Sequence, residues 1–530
     1  MIKKLVKTLN KDQSDIYKQM LKKDKLQICL PTGVGKGYLM RVDILRRVIG
    51  GENVIAIASH RLILNTQHTD DIIESLTDVI DQVRFIFVGS DNYDINKHQS
   101  NVKVVKNLIK SGTNFNELSL NTLSTKELKK YVDKYNKDGK KVIIITTYHS
   151  LHKLSGIDID TLYCDEAHTL ATETEGNFKS NFNYINKKNV YFFTATPKDC
   201  SDEDDDSSFL MNNEDIFGER IGMTMKDAIK KGYITNPMIH IAIPEKYDHE
   251  DMNNLTNKVK FITDSYKVHS DKVKENSSDP DNIEAKMLIK CESVDEMWEL
   301  YERLVGILTD VKVYAGASRK GNEGPSYELD FNKLSKTEHL NSLRCLNNTD
   351  KAIVLHVDTL SEGVNVKGFT GVMFLTDNSP TIIKLLQNIG RGTRVLDVDR
   401  KNFLKGKINT TDYKGWIKPN TYVILPIFNP ESESSQDYLS KTIKKLKFDN
   451  NIARYIISIG SDIGKKNKND VDDMINHKIK DIRKSLVDKI EHRIEEMEKL
   501  EKDIDEQEKQ NKLKGLDFIN YLKNKFKLGN

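Results

Sequence analysis

Leu30-Pro-Thr-Gly-Val-Gly-Lys-Gly37 is the stretch on which the reading of this chain turns. It follows the apolar run LQICL and precedes YLMRVDILRRVI, a strand pattern on one side and a helical pattern on the other. That setting is what a phosphate-cradling loop needs. Glycines let the backbone turn tightly and aim N–H groups at phosphate oxygens, and the helix N-terminus adds its dipole. Pro31, Thr32, Gly33, Val34, Gly35, Lys36 and Gly37 are therefore candidates to bind ATP, with Lys36 neutralising the β- and γ-phosphates. The last position of such a loop usually carries Ser or Thr, whose hydroxyl binds magnesium. Here it is Gly37, and water can fill the octahedral place that the hydroxyl leaves.

Three more clusters follow downstream. Asp165-Glu166-Ala167-His168 ends the strand pattern TLYC. An Asp at a strand's C-terminal edge can hold Mg2+, and the adjacent Glu can orient the water that attacks the γ-phosphate. Thr194-Ala195-Thr196-Pro197 follows VYFF. Such hydroxyls can cap a turn; this soon after the acidic pair, they can also link nucleotide state to a second site. Gln387-Asn-Ile-Gly-Arg391-Gly-Thr-Arg394 lies in the second half. Arginines spaced by three share one helical face and can reach phosphoryl oxygens together, as arginine fingers do.

In this order the motifs resemble those of superfamily 2 helicases over roughly the first four hundred residues. Within that superfamily the chain is most similar to the DEAH-bearing group. That group includes the RecG- and phage UvsW-like DNA remodelling enzymes and restriction-enzyme translocating subunits. The resemblance implies two tandem RecA-like domains, ATP as substrate and Mg2+ as cofactor. It makes Lys36, Asp165, Glu166, Gln387, Arg391 and Arg394 catalytic, with Asp165 on the metal and His168, Thr194 and Thr196 in coupling. Gln13 stands where the group carries an adenine-reading glutamine, and Gly363 and Asn365 of HVDTLSEGVNV face the nucleotide in its frame. The nucleic-acid contacts it implies are Arg61 and Gln67 of IASHRLILNTQ, Tyr148 of ITTYHSL, and Thr359. FGERIGMTMKDAIKKGYITNP, Phe217–Pro237, reads like the crossing segment between the motor domains.

Composition agrees without deciding. The 530 residues are 38% hydrophobic and 30% charged, which suits a polar-surfaced globular chain with room for two or three cores. No apolar run reaches the roughly eighteen residues of a membrane span, and the N-terminus lacks the apolar core of a secretion signal. Cys29, Cys164, Cys200, Cys291 and Cys345 form no CxxC pair, so zinc or a disulfide framework is not expected and a reducing cytoplasm is. A net charge of +3 excludes nothing; a nucleic-acid partner needs only a local basic track. The richness in Lys and Asn fits an AT-rich genome, for which a phage or virus is one source.

Two sets of β-branched runs alternate with helical patterns, the signature of α/β domains built on parallel sheets. The first comprises Leu26–Leu30, Val54–Ala58, Val142–Thr146, Leu162–Cys164 and Val190–Phe193. The second has KMLIKC from Lys286, VKVYAG from Val311, AIVLHV from Ala352 and GVMFLT from Gly371. Expected domains are 1–215 with a helical insertion near 91–141, 216–420 with a polar insertion near 248–282, and a helical extension 421–530. In the extension, Ile475, Ile479, Ile482, Leu486, Ile490, Ile494, Met497, Leu500 and Ile504 recur at helical spacing. That long amphipathic helix could pack on the body, meet a protein partner, or grip nucleic acid beside Lys465–Lys468.

The functional expectation is an ATP-dependent helicase or translocase that holds nucleic acid mainly through its backbone, with DNA favoured over RNA. An RNA helicase of the same fold, a restriction-type translocating subunit, and a non-hydrolysing clamp marked by Gly37 stay open.

Overall fold

The computed structural model describes residues 6, 8–60, 69, 72–73, 75–89, 119–122, 124–171, 182–198, 210–243, 254–316, 346–357, 368–375, 382–426 and 455–459. Arg61, Gln67, Thr359, Gly363, Asn365 and the long C-terminal amphipathic pattern lie outside these residues.

The first half builds one sheet. Its strands are β1 (Lys25–Cys29), β2 (Val54–Ser59), β3 (Val83–Val88), β4 (Ser119–Thr122), β5 (Lys141–Thr147), β6 (Ile159–Asp165), β7 (Lys187–Thr194) and β8 (Glu219–Gly222). They lie in the order β4-β3-β5-β2-β6-β7-β1-β8. The pairs from β3–β4 to β1–β8 run parallel. Helices α1 (Lys11–Met20), α2 (Lys36–Ile49) and α3 (Thr125–Lys137) flank it; α4 (Glu214–Phe217) leads into the crossing segment and α5 (Met225–Lys230) lies within it. All six residues of β2 are buried, as expected of a parallel strand covered on both faces. Phe182, Phe192 and Phe217 stack within the same core, with ring centroids 5.6 and 4.8 Å apart in successive pairs.

The second half gives β9 (Asn236–Ile243), α6 (Leu255–Asn276), β10 (Lys286–Lys290), α7 (Val294–Ile307), β11 (Lys312–Gly316), β12 (Ala352–His356), β13 (Gly371–Phe374), α8 (Ile382–Gly392), α9 (Asp397–Leu404), β14 (Asn420–Pro426) and β15 (Tyr455–Ile459). Its strands form a second sheet in the order β11-β12-β10-β13-β14-β9-β15. β10 and β11 both pair with β12 in parallel, as β15 does with β9. Two parallel sheets with flanking helices are the expected pair of RecA-like α/β folds. The chain divides into two compact units, residues 1–237, 268–373 and 381–423 in one and 238–267, 374–380 and 424–530 in the other. The first contains the whole β1–β8 sheet and every motif residue discussed below.

Where local structure differs from the sequence reading, the reasons are physical. Within the segment read as a polar insertion, 255–276 is one helix. Val259, Ile262, Tyr266, His269 and Val273 are buried at helical spacing, a stripe that intervening lysines and aspartates conceal. In the region read as a helical insertion, Ser119–Thr122 is a strand beside β3, and α3 follows from its Ser124 cap. Leu128 and Val132 bury the apolar face of α3.

Candidate nucleotide site

Parallel register does the first part of the assembly. Cys29 is opposite Thr194, and Asp165 is opposite Phe193, so the chain leaves β1, β6 and β7 at one edge of the sheet. Ligands sit outside the carboxyl ends of strands in such sheets. The loop after β1 begins at Leu30, whose N–H donates to the Thr194 carbonyl at 3.0 Å. Gly33 and Gly35 have φ of 95° and 98°, a region that L side chains rarely enter. Gly35 is the N-cap of α2 and no side chain caps that end. The Lys36 ammonium lies across the loop, donating to the Leu30 carbonyl at 3.1 Å. Around Gly37 an added Cβ meets nothing within 4 Å.

Gln13 braces this loop from below. Its Nε2 donates to the Val34 carbonyl at 2.8 Å, while its Oε1 accepts from the Asn10 amide at 3.0 Å in a capping box. A Cβ on Gly35 would stand 2.5 Å from that Nε2, so the close approach itself requires glycine. In this structure both ends of the Gln13 amide are engaged by the protein, one by the loop and one by the cap of α1.

At the end of β6, Asp165 and Glu166 diverge. Asp165 is 7% exposed, and Glu166 turns into the left-handed region at φ 51°. Among the described residues Glu166 is the one non-glycine with positive φ. Its Oε2 is buried with no hydrogen-bond partner among them, 3.5 Å from His168 Nδ1. His168 Nδ1 also lies 3.0 Å from Thr194 Oγ1, and its Nε2 lies 3.4 Å from Gln387 Nε2. Thr194 Oγ1 in turn accepts from the Thr196 amide at 3.2 Å. One buried relay thus joins the acidic pair, the threonine turn and the glutamine of α8.

The rest of QNIGRGTR closes on the phosphate loop. A Cβ at Gly390 would overlap Thr32, with Cγ2 and Oγ1 each at 3.0 Å, and one at Gly33 would meet Arg394 Cγ at 3.5 Å. Arg391 is 7% exposed on the last turn of α8. The two arginines do not share a helical face as the spacing suggests. α8 ends at Gly392, and Arg394 emerges from the turn beyond it, where Lys418 Nζ holds the Gly392 carbonyl and, at 2.7 Å, the Arg394 carbonyl. The Thr235 amide donates to the Thr393 carbonyl at 2.8 Å, so the crossing segment fastens the same turn.

Among known proteins, residues 2–199 match the family described as the type III restriction enzyme res subunit. Residues 2–199 thus resemble a domain of the superfamily 2 helicase type. No curated protein matches the chain. The ATP-dependent type ISP restriction-modification enzyme LlaBIII bound to DNA is a structural neighbour, with TM-score 0.56 and 16% identity, over 86% of this chain. The chain spans 32% of the length of that enzyme. The DEAD-box helicase Mss116 bound to ssRNA and UDP-BeF gives TM-score 0.50 at 14% identity, over 92% of this chain and 80% of its own. A variant of S. cerevisiae Dbp5 bound to RNA and ADP BeF3 also reaches 0.50, at 11% identity over 89% and 93%. At these identities the likeness is one of fold, that of helicase- and translocase-type ATPases.

Within this core one residue expected at the nucleic-acid side is buried. Tyr148 is 0% exposed, so its side chain offers nothing to a strand; its hydroxyl donates to the Asp165 carbonyl at 2.6 Å. Four supports of the site are not legible as supports in the sequence. On α2, Arg47 Nε meets Asp43 Oδ2 at 2.7 Å, and its other nitrogens reach Thr161, Tyr191 and Glu52. Asp43 also accepts from the Tyr163 hydroxyl at 2.6 Å, so one buried cluster ties the helix after the loop to β6 and β7. Asp12, beside Gln13, accepts from Lys231 at 2.6 Å and Tyr233 at 2.8 Å on the crossing segment. Lys418, described above, is the third support and Tyr148 the fourth. The i,i+4 pair Asp43/Arg47 on an otherwise apolar helix face was the one readable signal.

Magnesium fits these residues. Among the described residues there is no group of three His, Cys, Asp or Glu side chains able to cage a metal. Mg2+ does not need one: it binds through one or two carboxylates, waters and substrate phosphates. Asp165 at the strand edge is a carboxylate of that kind.

Proposed function

We propose that the chain is an ATP-driven nucleic-acid motor of the helicase or translocase kind, acting on DNA. Two RecA-like domains near 1–215 and 216–420 carry it, and the C-terminal region 421–530 is the place for a protein partner. The observation that carries the reading is the closure of α8 on the phosphate loop and the acidic pair. Gly390 abuts Thr32, Arg394 covers Gly33, and Gln387 reaches His168. A generic phosphate-binding loop has no use for that second face.

In this reading Lys36 and the amides of 33–37 bind the phosphates, and Asp165 holds Mg2+, whose charge offsets that developing on the phosphoryl oxygens. Glu166 orients the attacking water, and Gln387, Arg391 and Arg394 stabilise the transferring group from the opposite side. His168, Thr194 and Thr196 relay the nucleotide state. Gly363 and Asn365 would complete the nucleotide side, and Arg61, Gln67 and Thr359 the strand side, through phosphate contacts that are sequence-independent and salt-sensitive. The DNA preference rests on the resemblance to DNA remodelling enzymes and translocating subunits and on LlaBIII, the DNA-bound structural neighbour. Displacement of a triplex-forming oligonucleotide from duplex DNA tests it. ATP-dependent displacement by the parent chain that Glu166→Gln abolishes is expected, and ATP turnover with no displacement and stimulation by RNA alone would move the substrate to RNA.

A further inference from the structure

Glu166 stands in a conformation that the sequence alone cannot hold. With φ 51° and ψ 49° it is left-handed, where Cβ crowds the neighbouring carbonyl. Non-glycine residues stay there only when their surroundings over-determine them. The surroundings are visible on both sides. The carbonyl of Glu166 accepts from the Thr169 amide at 3.0 Å and the Thr169 hydroxyl at 2.8 Å, which fixes the peptide that follows. The peptide that precedes it, whose plane sets φ, is held through the Asp165 carbonyl by the Tyr148 hydroxyl at 2.6 Å. Tyr148 begins the turn Tyr148–Leu154 after β5, two strands from β6 in the sheet, and is fully buried. Burial also raises its pKa well above the ordinary phenol value, so the hydroxyl keeps the proton it donates.

We infer that Tyr148 is a positioning residue for hydrolysis: its hydroxyl pins the Asp165–Glu166 peptide and thereby aims the Glu166 carboxylate into the site. This rests on the reading of Glu166 as the carboxylate that orients the attacking water. The buried Glu166 Oε2 has no hydrogen-bond partner among the described residues, so its direction is set by the backbone beneath it. His168 Nδ1, 3.5 Å from that oxygen, is itself engaged with Thr194. Without the hydroxyl, the peptide is free to relax towards the right-handed region, and the carboxylate leaves its place beside His168.

The test is Tyr148→Phe, which removes one oxygen and keeps the ring in the core. Single-turnover hydrolysis should slow about five- to tenfold, the worth of one buried hydrogen bond, with the KM for ATP within about twofold. In a Glu166→Gln background the same change should add almost nothing, because the two act through one group. Equal losses in both backgrounds would mean a merely structural role and overturn the inference, as would an unchanged rate. Hydrogen exchange over 163–169 is read in parallel, without nucleotide. It should quicken in Tyr148→Phe; unchanged exchange overturns the positioning claim. If the parent chain turns over no ATP, the proposed function falls, and the exchange result still decides whether Tyr148 holds this peptide.

Discussion

Gly390→Ala separates stability from catalysis. Gly390 lies inside α8, where alanine is favoured over glycine by roughly 0.5–1 kcal/mol, so helix propensity alone predicts a slightly more stable protein. The same methyl would overlap Thr32 Cβ, with Cγ2 and Oγ1 at 3.0 Å. Ordinary carbon contacts need about 3.5–4.0 Å, so α8 and the loop must part by roughly an ångström. A shift of that size at a phosphoryl-transfer site can cost about a hundredfold in rate, or roughly 2.7 kcal/mol of transition-state stabilisation. Steady-state phosphate release across ATP concentration, with a thermal melt of the same preparation, reads both quantities. The expected result is an unchanged or raised Tm with kcat/KM down about a hundredfold, partly restored by Thr32→Gly. Activity within about twofold of the parent would refute the claim that this contact forms during turnover.

Three other outcomes follow from the contacts and burial in the structure. Gly37→Thr should fold normally, since a Cβ there meets nothing within 4 Å, and should lower the Mg2+ concentration giving half-maximal turnover; an unchanged magnesium titration contradicts a direct place for that side chain. Arg47→Leu takes one of two arginines from the fully buried Asp43, leaving Arg46 at 2.8 Å, and removes the pair with Glu52; it should cost about 2 kcal/mol or more in urea unfolding, and a loss under about 1 kcal/mol contradicts it. Burial pushes Lys418 down to about 7, whereas the unfolded chain keeps that proton to about 10.4. Between these values the unfolded state binds more protons, so stability should rise with pH from about 7 upwards, and Lys418→Met should flatten the rise. An equal slope in both proteins would show that another group carries it.

Legibility in the sequence followed the periodicity of each segment. β1, β2, β5, β6 and β7 are largely apolar runs ending in Cys, Ser, Thr or Asp, and each is legible at its place. β8 escaped because Glu219–Gly222 has no apolar run and is largely exposed; it is a strand by virtue of its pairing with β1. α6 was hidden for the opposite reason, its buried stripe diluted by charge. The nucleotide-side motifs were legible because phosphate chemistry restricts residue types at short spacing. The residues that hold them were not. Tyr148 looks like any surface tyrosine in a polar turn until the sheet brings the end of β5 across β2 to that of β6 and its hydroxyl to Asp165. Lys418 reads as a solvated lysine until Gly392 and Arg394 turn their carbonyls towards it. Arg391 and Arg394 were assigned one helical face because nothing in GRGTR announces that the helix stops at Gly392.

ATP turnover with magnesium tests the central claim most directly, measured alone and with single-stranded DNA, branched duplex DNA or RNA. Stimulation by DNA that Glu166→Gln abolishes is the predicted result. Binding of nucleic acid with no turnover under any condition would contradict it and leave a nucleotide-gated clamp.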